Sequence, residues 1–140
     1  MFGSISEVID NTFLGNEAQF DGGAIYIFMG SPGTATIVNN QFIENVAYDH
    51  GGAIEAGQSW VGSRPLWIEG NLFVRNEAHG MDLPTDSGTG GGISMRGWPG
   101  TIINNTFVGN VGAGESDCTG GHILIDTDPE YRVVIERNIS

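Results

Sequence analysis

The sequence predicts an all-β solenoid, and three observations lead to this fold class. Short apolar segments that contain asparagine recur about every thirty residues along the 140-residue chain. A paired-glycine segment alternates with them, reading GGAI at 22–25 and 51–54, GGGI at 90–93 and GGHI at 120–123. No stretch shows the apolar period of an α-helix. Two motifs that stay in phase over four copies indicate a stack of coils, one for each repeat.

The asparagine motif predicts two strands and the bend between them. Its copies read VIDNTFLGN (8–16), TIVNNQFIEN (36–45), WIEGNLFVRN (67–76), TIINNTFVGN (101–110) and, in part, VIERNIS (134–140). The aligned asparagines, spaced 29, 31, 34 and 33 residues apart, are Asn11, Asn40, Asn71, Asn105 and Asn138. A sharp bend requires a left-handed residue, which asparagine and glycine tolerate best. We expect the stacked amides to form a structural hydrogen-bonded ladder from coil to coil.

The glycine motif predicts the third strand of each coil, entered through a tight bend. Residues two apart are apolar, so one strand face points into the core; the pairs are Ile25/Ile27, Ile54/Ala56, Ile93/Met95 and Ile123/Ile125. The residues between them vary and are expected to point outward; they are Tyr26, Glu55, Ser94 and Leu124. Each coil is therefore predicted to hold three short strands.

A second apolar column directly follows the phenylalanines of the asparagine motif. Its members are Leu14, Ile43, Val74 and Val108. Simple alternation would expose this stripe, which soluble monomers avoid. We favour a local bend that turns both columns inward over cover by a partner or another segment.

Composition restricts the classes of partner and cofactor. The chain has no lysine, and its five arginines face 17 acidic residues, giving a net charge of −12. Nucleic acid is therefore excluded as a partner, because phosphate binding needs clustered cations. Cys118 is the only cysteine, no apolar run is long enough to span a membrane, and no metal-ligand spacing is present, so we expect no cofactor. Calcium is the one alternative, through the loop carboxylates of Asp82, Asp86, Asp117, Asp126 and Asp128.

Alternation of GGA[I/L/V] with F-x-x-N, here GGAI with FLGN, FIEN, FVRN and FVGN, resembles the repeats of the polymorphic outer-membrane proteins, a group of bacterial autotransporters. More widely, the pattern is similar to the pectate-lyase-like superfamily. The resemblance implies a right-handed parallel β-helix of between four and five coils with three short strands per coil. We interpret residues 1–140 as one β-helix domain and as a piece of a longer secreted or cell-surface bacterial protein.

The same resemblance implies three competing functions. We favour an adhesin-type or passenger-type module that displays binding residues and recognises a glycan or a host or cell-surface protein. The alternatives are part of a polysaccharide lyase or glycoside hydrolase, and a structural spacer. Bare terminal coils would expose apolar core and strand edges, so we also expect marginal stability or end-to-end self-association.

Candidate site residues follow from the predicted outer face of the glycine-motif strands. If the chain is an enzyme, Glu55, Arg96 and Asp126 are the residues placed for acid–base chemistry, although catalysis is not the favoured function. Exposed aromatic side chains can stack on sugars or anchor a protein, which makes Trp60, Trp98 and Tyr26 the candidate binding residues. Trp67 is also expected to point outward, because it precedes the inward Ile68.

Overall fold

The computed structural model describes residues 5–28, 34–57, 65–80, 88–97, 99–113, 121–126 and 131–140. These ranges contain only β-strands, turns and irregular segments. The first two coils comprise β1 (Ile5–Ile9), β2 (Thr12–Leu14), β3 (Glu17–Ala18), β4 (Ile25–Ile27), β5 (Thr34–Val38), β6 (Gln41–Ile43), β7 (Val46–Ala47) and β8 (Ile54–Ala56). The next two comprise β9 (Leu66–Glu69), β10 (Leu72–Val74), β11 (Glu77–Ala78), β12 (Ile93–Arg96), β13 (Gly100–Ile103), β14 (Thr106–Val108), β15 (Val111–Gly112) and β16 (Ile123–Asp126), and β17 (Val133–Glu136) follows.

The strands pair in parallel with their counterparts one repeat away, which forms four sheets. Sheet A contains β1, β5, β9, β13 and β17, and sheet B contains β2, β6, β10 and β14. Sheet C contains β3, β7, β11 and β15, and sheet D contains β4, β8, β12 and β16. These stacks of four or five strands confirm the predicted parallel β-helix. Sheet C corrects the prediction of three strands per coil, because each coil has a fourth strand of two residues.

The aligned asparagines form the predicted ladder. The backbone N–H of Asn40 donates to Oδ1 of Asn71 at 2.8 Å, and Nδ2 of Asn40 donates to the same oxygen at 3.0 Å. Nδ2 of Asn40 also donates to the carbonyl oxygens of Val8 and Val38. The same pattern links the whole file, which contains Asn11, Asn40, Asn71, Asn105 and Asn138. The asparagines therefore satisfy backbone groups at a corner where strand pairing is interrupted.

A second asparagine ladder and a phenylalanine stack run parallel to the first. The second ladder contains Asn16, Asn45, Asn76 and Asn110. The rings of Phe42 and Phe73 have centroids 4.9 Å apart and are tilted by 8°, and equivalent stacking joins the rest of the column. Phe42 and Phe73 are both 0% exposed, so the stack lies in the hydrophobic core between the sheets.

The residue immediately before each ladder asparagine adopts the left-handed conformation that was predicted for the bend. Asp10, Asn39, Gly70, Asn104 and Arg137 have φ values of 57°, 56°, 66°, 57° and 53°. The ladder asparagine itself follows the left-handed residue. Its side chain is thereby turned into the corner, where it reaches the next coil.

The two members of each of the first three glycine pairs are required for different reasons. The first adopts a left-handed conformation, as shown by the φ of 65° at Gly51. The second has no room for a side chain, because a Cβ on Gly52 would lie 2.3 Å from the carbonyl oxygen of Gly91. Adjacent coils therefore touch backbone to backbone where sheet D begins.

The prediction that both apolar columns of sheet B turn inward is wrong. Leu14 is 63% exposed and Val108 is 50% exposed, whereas Ile43 and Val74 on the inner coils are only partly buried. None of the four belongs to the core cluster. Simple strand alternation therefore holds here, and this column lies on the outside of sheet B.

Candidate functional site

The strongest candidate site lies on the outer side of sheet D, on the first three coils. Glu55 is in register with Tyr26 on one side and Ser94 on the other, while its neighbours Ile54 and Ala56 belong to the core. Glu55 therefore points away from the core, as predicted. The side chain is nevertheless 0% exposed, and Ser94 is also 0% exposed. The outer face of sheet D is thus closed to solvent at these two positions.

The enclosed Glu55 forms an ion pair with the partly exposed Arg96 of the next coil. Nε and Nη2 of Arg96 each lie 2.9 Å from Oε1 of Glu55. The same Nη2 is 3.7 Å from Oδ1 of Asp21 in the first coil. One guanidinium thus bridges carboxylates from two other coils. Charge interactions therefore link three consecutive repeats on the outer side of sheet D.

Burial dominates the electrostatics of Glu55. It raises the pKa of the carboxyl from its ordinary value of 4.5 to about 7, although the Ser94 hydroxyl and the Arg96 guanidinium oppose the rise. The nearby Asp21 carboxylate adds to the increase. Neither Oε2 of Glu55 nor Oγ of Ser94 has a hydrogen bond of good geometry among the described residues. The carboxyl is therefore poised to change its charge near neutral pH.

A histidine lies next to this ion pair, in the column that directly precedes the glycine pairs. Nε2 of His50 is 2.9 Å from Oδ1 of Asp49, and Nδ1 is 2.8 Å from Oγ1 of Thr89 in the next coil. One ligand atom each from Asp21, Asp49 and His50 lie within 4.8 Å of one another, a spacing that could hold a divalent cation. Arg96 already supplies positive charge beside Asp21. The sequence signal for this grouping is the position shared by Asp21 and His50, each one residue before a glycine pair.

Tyr26 forms the accessible edge of the site. It is 50% exposed, and its ring stacks near that of Phe28, with centroids 6.4 Å apart and planes inclined by 22°. Phe28 is 59% exposed. Partial burial, followed by the carboxylates of Asp21 and Glu55, raises the pKa of the Tyr26 hydroxyl. The predicted binding residue Tyr26 thus lies in an aromatic pair beside the buried charges.

The structure brings together two of the three residues named for acid–base chemistry. Glu55 and Arg96 are in contact, whereas Asp126 follows Arg96 in register on β16 and is exposed. Among the ion pairs of the described residues, Asp126 forms none with Arg96. Because Glu55 is fully enclosed, it does not present its carboxyl to a substrate on the outer face in this conformation. Trp60 and Trp98, together with the loop carboxylates of Asp82, Asp86, Asp117 and Asp128, lie outside the described residues.

Glu55 is expected to make stability depend on pH in a defined window. Between pH 4.5 and about 7 the folded state retains a proton that the unfolded state releases. The free energy of unfolding should therefore fall as pH rises through this window, by about 3 kcal/mol at most. Below the window both states are protonated, and above it neither is, so this contribution is constant in both regions.

The variant Glu55→Gln tests that expectation, because glutamine keeps an acceptor for Arg96 and cannot ionise. Urea unfolding of both proteins at several pH values from 4 to 8 gives the difference in free energy of unfolding. We expect this difference to shift in favour of the variant as pH rises through the window. A difference that is independent of pH would show that the Glu55 carboxyl titrates at its ordinary value.

Comparison with known proteins identifies the repeat. Residues 12–27, which run from β2 through the first glycine pair to the end of β4, match the family model described as Chlamydia polymorphic membrane protein (Chlamydia_PMP) repeat. No curated protein and no solved structure matches the chain. Across the part of the chain that the structure describes, there is no helix with the length and apolarity needed to cross a membrane. The matched segment and the parallel β-helix that continues it fit polymorphic membrane protein repeats arranged in a β-helix.

Proposed function

We propose that this chain is a surface-displayed β-helix module that acts as an adhesin-type or passenger-type binding domain outside the bacterial cell. The description of the matched repeat as part of a membrane protein supports display at a surface. The internal columns repeat from coil to coil, whereas the outward column of sheet D varies: Tyr26 is exposed, Glu55 and Ser94 are enclosed, and Leu124 is partly buried. A constant core with a varied outer face is suited to presenting different side chains to a partner.

The observation that carries the proposal is the exposed aromatic pair of Tyr26 and Phe28. Each ring is at least half exposed, and the two lie side by side on the outer side of the first coil. Phe20, at the turn before the first glycine pair, is 62% exposed. Aromatic rings of this kind contribute most of the contact energy in protein interfaces and stack on sugar rings. The aromatic pair therefore provides an anchor for a glycan or a cell-surface protein.

Binding of the purified chain to a glycan array and to fixed epithelial cells tests the proposal. We expect the double variant Tyr26→Ala/Phe28→Ala to lose about thirtyfold in apparent affinity, because two anchors of about 1 kcal/mol each are removed. Leu14→Ala is the matched control, since Leu14 is 63% exposed but lies on sheet B. Absence of binding by the parent chain, or equal binding by the double variant, would leave the structural spacer as the function.

The competing carbohydrate-active enzyme is tested separately. Glu55 and Arg96 are the paired residues on which lyase or hydrolase chemistry would depend, and their contact is the observation in its favour. Incubation with acidic and neutral polysaccharides should release no reducing ends or unsaturated products if the chain is a binding module. Turnover that is lost in Glu55→Gln would establish the enzyme instead.

A further inference from the structure

Trp67 is an exposed aromatic residue in the middle of sheet A, on a different face from the site on sheet D. It lies on β9, the central strand of five, and its side chain is 40% exposed. Its exposure is therefore not a consequence of lying on the first or last strand. In register on either side are Thr36 and Thr101, whose short side chains cannot cover an indole ring. The ring is left available to an incoming group.

Hydrogen bonds fix the orientation of this exposed ring. Nε1 of Trp67 donates to Oε2 of Glu69 at 2.9 Å, and Nδ2 of Asn104 donates to Oε1 of the same carboxylate at 3.2 Å. A carboxylate can accept about four hydrogen bonds, so Glu69 retains capacity for further donors. The indole and the carboxylate are thus held side by side before any ligand arrives, which lowers the entropy cost of binding.

The charge on this face is negative. Glu7, Glu69 and Glu136 occupy outward positions on β1, β9 and β17, alternating with the core-facing residues of each strand. No arginine lies within the described strands of sheet A; Arg132 and Arg137 flank β17 at the edge of the sheet, and Arg64, which precedes β9, lies outside the described residues. The whole chain adds a net charge of −12 and contains no lysine. An anionic ligand would be repelled here, and a cationic one attracted.

We propose that Trp67 and Glu69 form a binding site for a cationic side chain, lysine or arginine, of a partner polypeptide. The cation lies over the indole face, where the ring quadrupole attracts it, and donates hydrogen bonds to the carboxylate of Glu69. Indole is the strongest of the aromatic partners for such a contact. The negative charge of the face attracts a cation and gives no comparable long-range attraction to a neutral sugar.

The test uses a hexa-lysine peptide as the probe, with hexa-glutamate and a neutral hexasaccharide for comparison. Titration calorimetry at low salt should detect hexa-lysine only. We expect Trp67→Ala to weaken this binding about fivefold, which corresponds to about 1 kcal/mol for one cation–π contact. Trp67→Phe should weaken the binding by less than Trp67→Ala does, because the phenylalanine ring attracts a cation less strongly than indole but still offers a face to it.

Two further variants separate the site from general attraction to an acidic protein. Glu69→Gln keeps an acceptor for the indole N–H and removes one charge, so we expect a severalfold weakening with the ring still in place. The sheet D variant Tyr26→Ala/Phe28→Ala should bind hexa-lysine as the parent does, which separates this proposal from the one for sheet D. Circular dichroism verifies that each variant is folded.

Two outcomes would overturn the proposal. Equal binding of hexa-lysine by the parent and by folded Trp67→Ala would mean that the peptide is held by diffuse charge alone. Binding of the neutral hexasaccharide that depends on Trp67 and is insensitive to salt would mean that the ring is a sugar platform.

Discussion

Gly52→Ala is expected to prevent stable folding of the solenoid. An added Cβ would lie 2.3 Å from the carbonyl oxygen of Gly91 and 2.6 Å from the carbonyl carbon of Glu77. Both atoms are backbone of the third coil, so the overlap can be relieved only by separating coils along their hydrogen-bonded edge. We expect a loss of more than about 4 kcal/mol in the free energy of unfolding, comparable to the total stability of many domains. Circular dichroism and urea unfolding of the purified variant measure it.

Gly15→Ala is the matched control, because it places alanine in a left-handed backbone conformation without any steric overlap. Gly15 has a φ of 61°, and a Cβ placed there meets no atom within 4 Å. The equivalent positions of the next two coils are occupied by Glu44 and Arg75, with φ values of 53° and 49°. The control should therefore lose only about 1 kcal/mol. Similar stabilities for Gly15→Ala and Gly52→Ala would refute the close approach of coils at the glycine pair.

Asn71→Ala is expected to cost about 3–5 kcal/mol, the second large effect. Asn71 is 2% exposed, and its Nδ2 donates to the carbonyl oxygens of Ile37 and Glu69. Its Oδ1 accepts from both the backbone N–H and Nδ2 of Asn40. Alanine would leave several buried donors and acceptors without partners, each costing about 1–3 kcal/mol, partly recovered by relaxation. The midpoint and slope of urea unfolding give the difference.

Asn11→Ala provides the comparison within the same ladder. Asn11 is exposed and donates to Asn40, but none of the described residues donates to its Oδ1. Water can therefore satisfy the groups that the substitution frees, and we expect a cost of about 1 kcal/mol. If the two substitutions proved equally costly, the ladder would not be the source of stability at the corner.

The stacking of repeats could be predicted from the sequence, because the period of about thirty residues sets which residues of successive coils lie above one another. Once equivalent residues lie above one another, the ladder asparagines, the phenylalanine stack and the inward isoleucines follow from strand alternation. The two-residue strands of sheet C could not be recognised, because a segment such as Val46–Ala47 is too short to show alternation. Leu14 points outward because the regular pleat of β2 outweighs the avoidance of exposed apolar surface, a balance that the sequence pattern does not reveal.

The site could be predicted only in part. The contact between Glu55 and Arg96 follows from neighbouring coils, since Arg96 lies one step beyond the residue paired with Ala56. The full burial of Glu55 could not be predicted from the sequence. The repeat register predicts the side of the sheet to which a side chain points, but not which other groups cover it. The approach of Asp21, Asp49 and His50 also depends on the turns before the glycine pairs, where the three repeats differ in residue type.

The ladder of asparagines has a direction. At each step from Asn11 to Asn138, the backbone N–H and Nδ2 of one asparagine donate to Oδ1 of the asparagine in the later coil. Two coils set in opposite senses would bring acceptor against acceptor, or donor against donor. Any repeat joined to this array, whether by duplication within a chain or by contact between molecules, is compatible with the corner only when it is added head to tail.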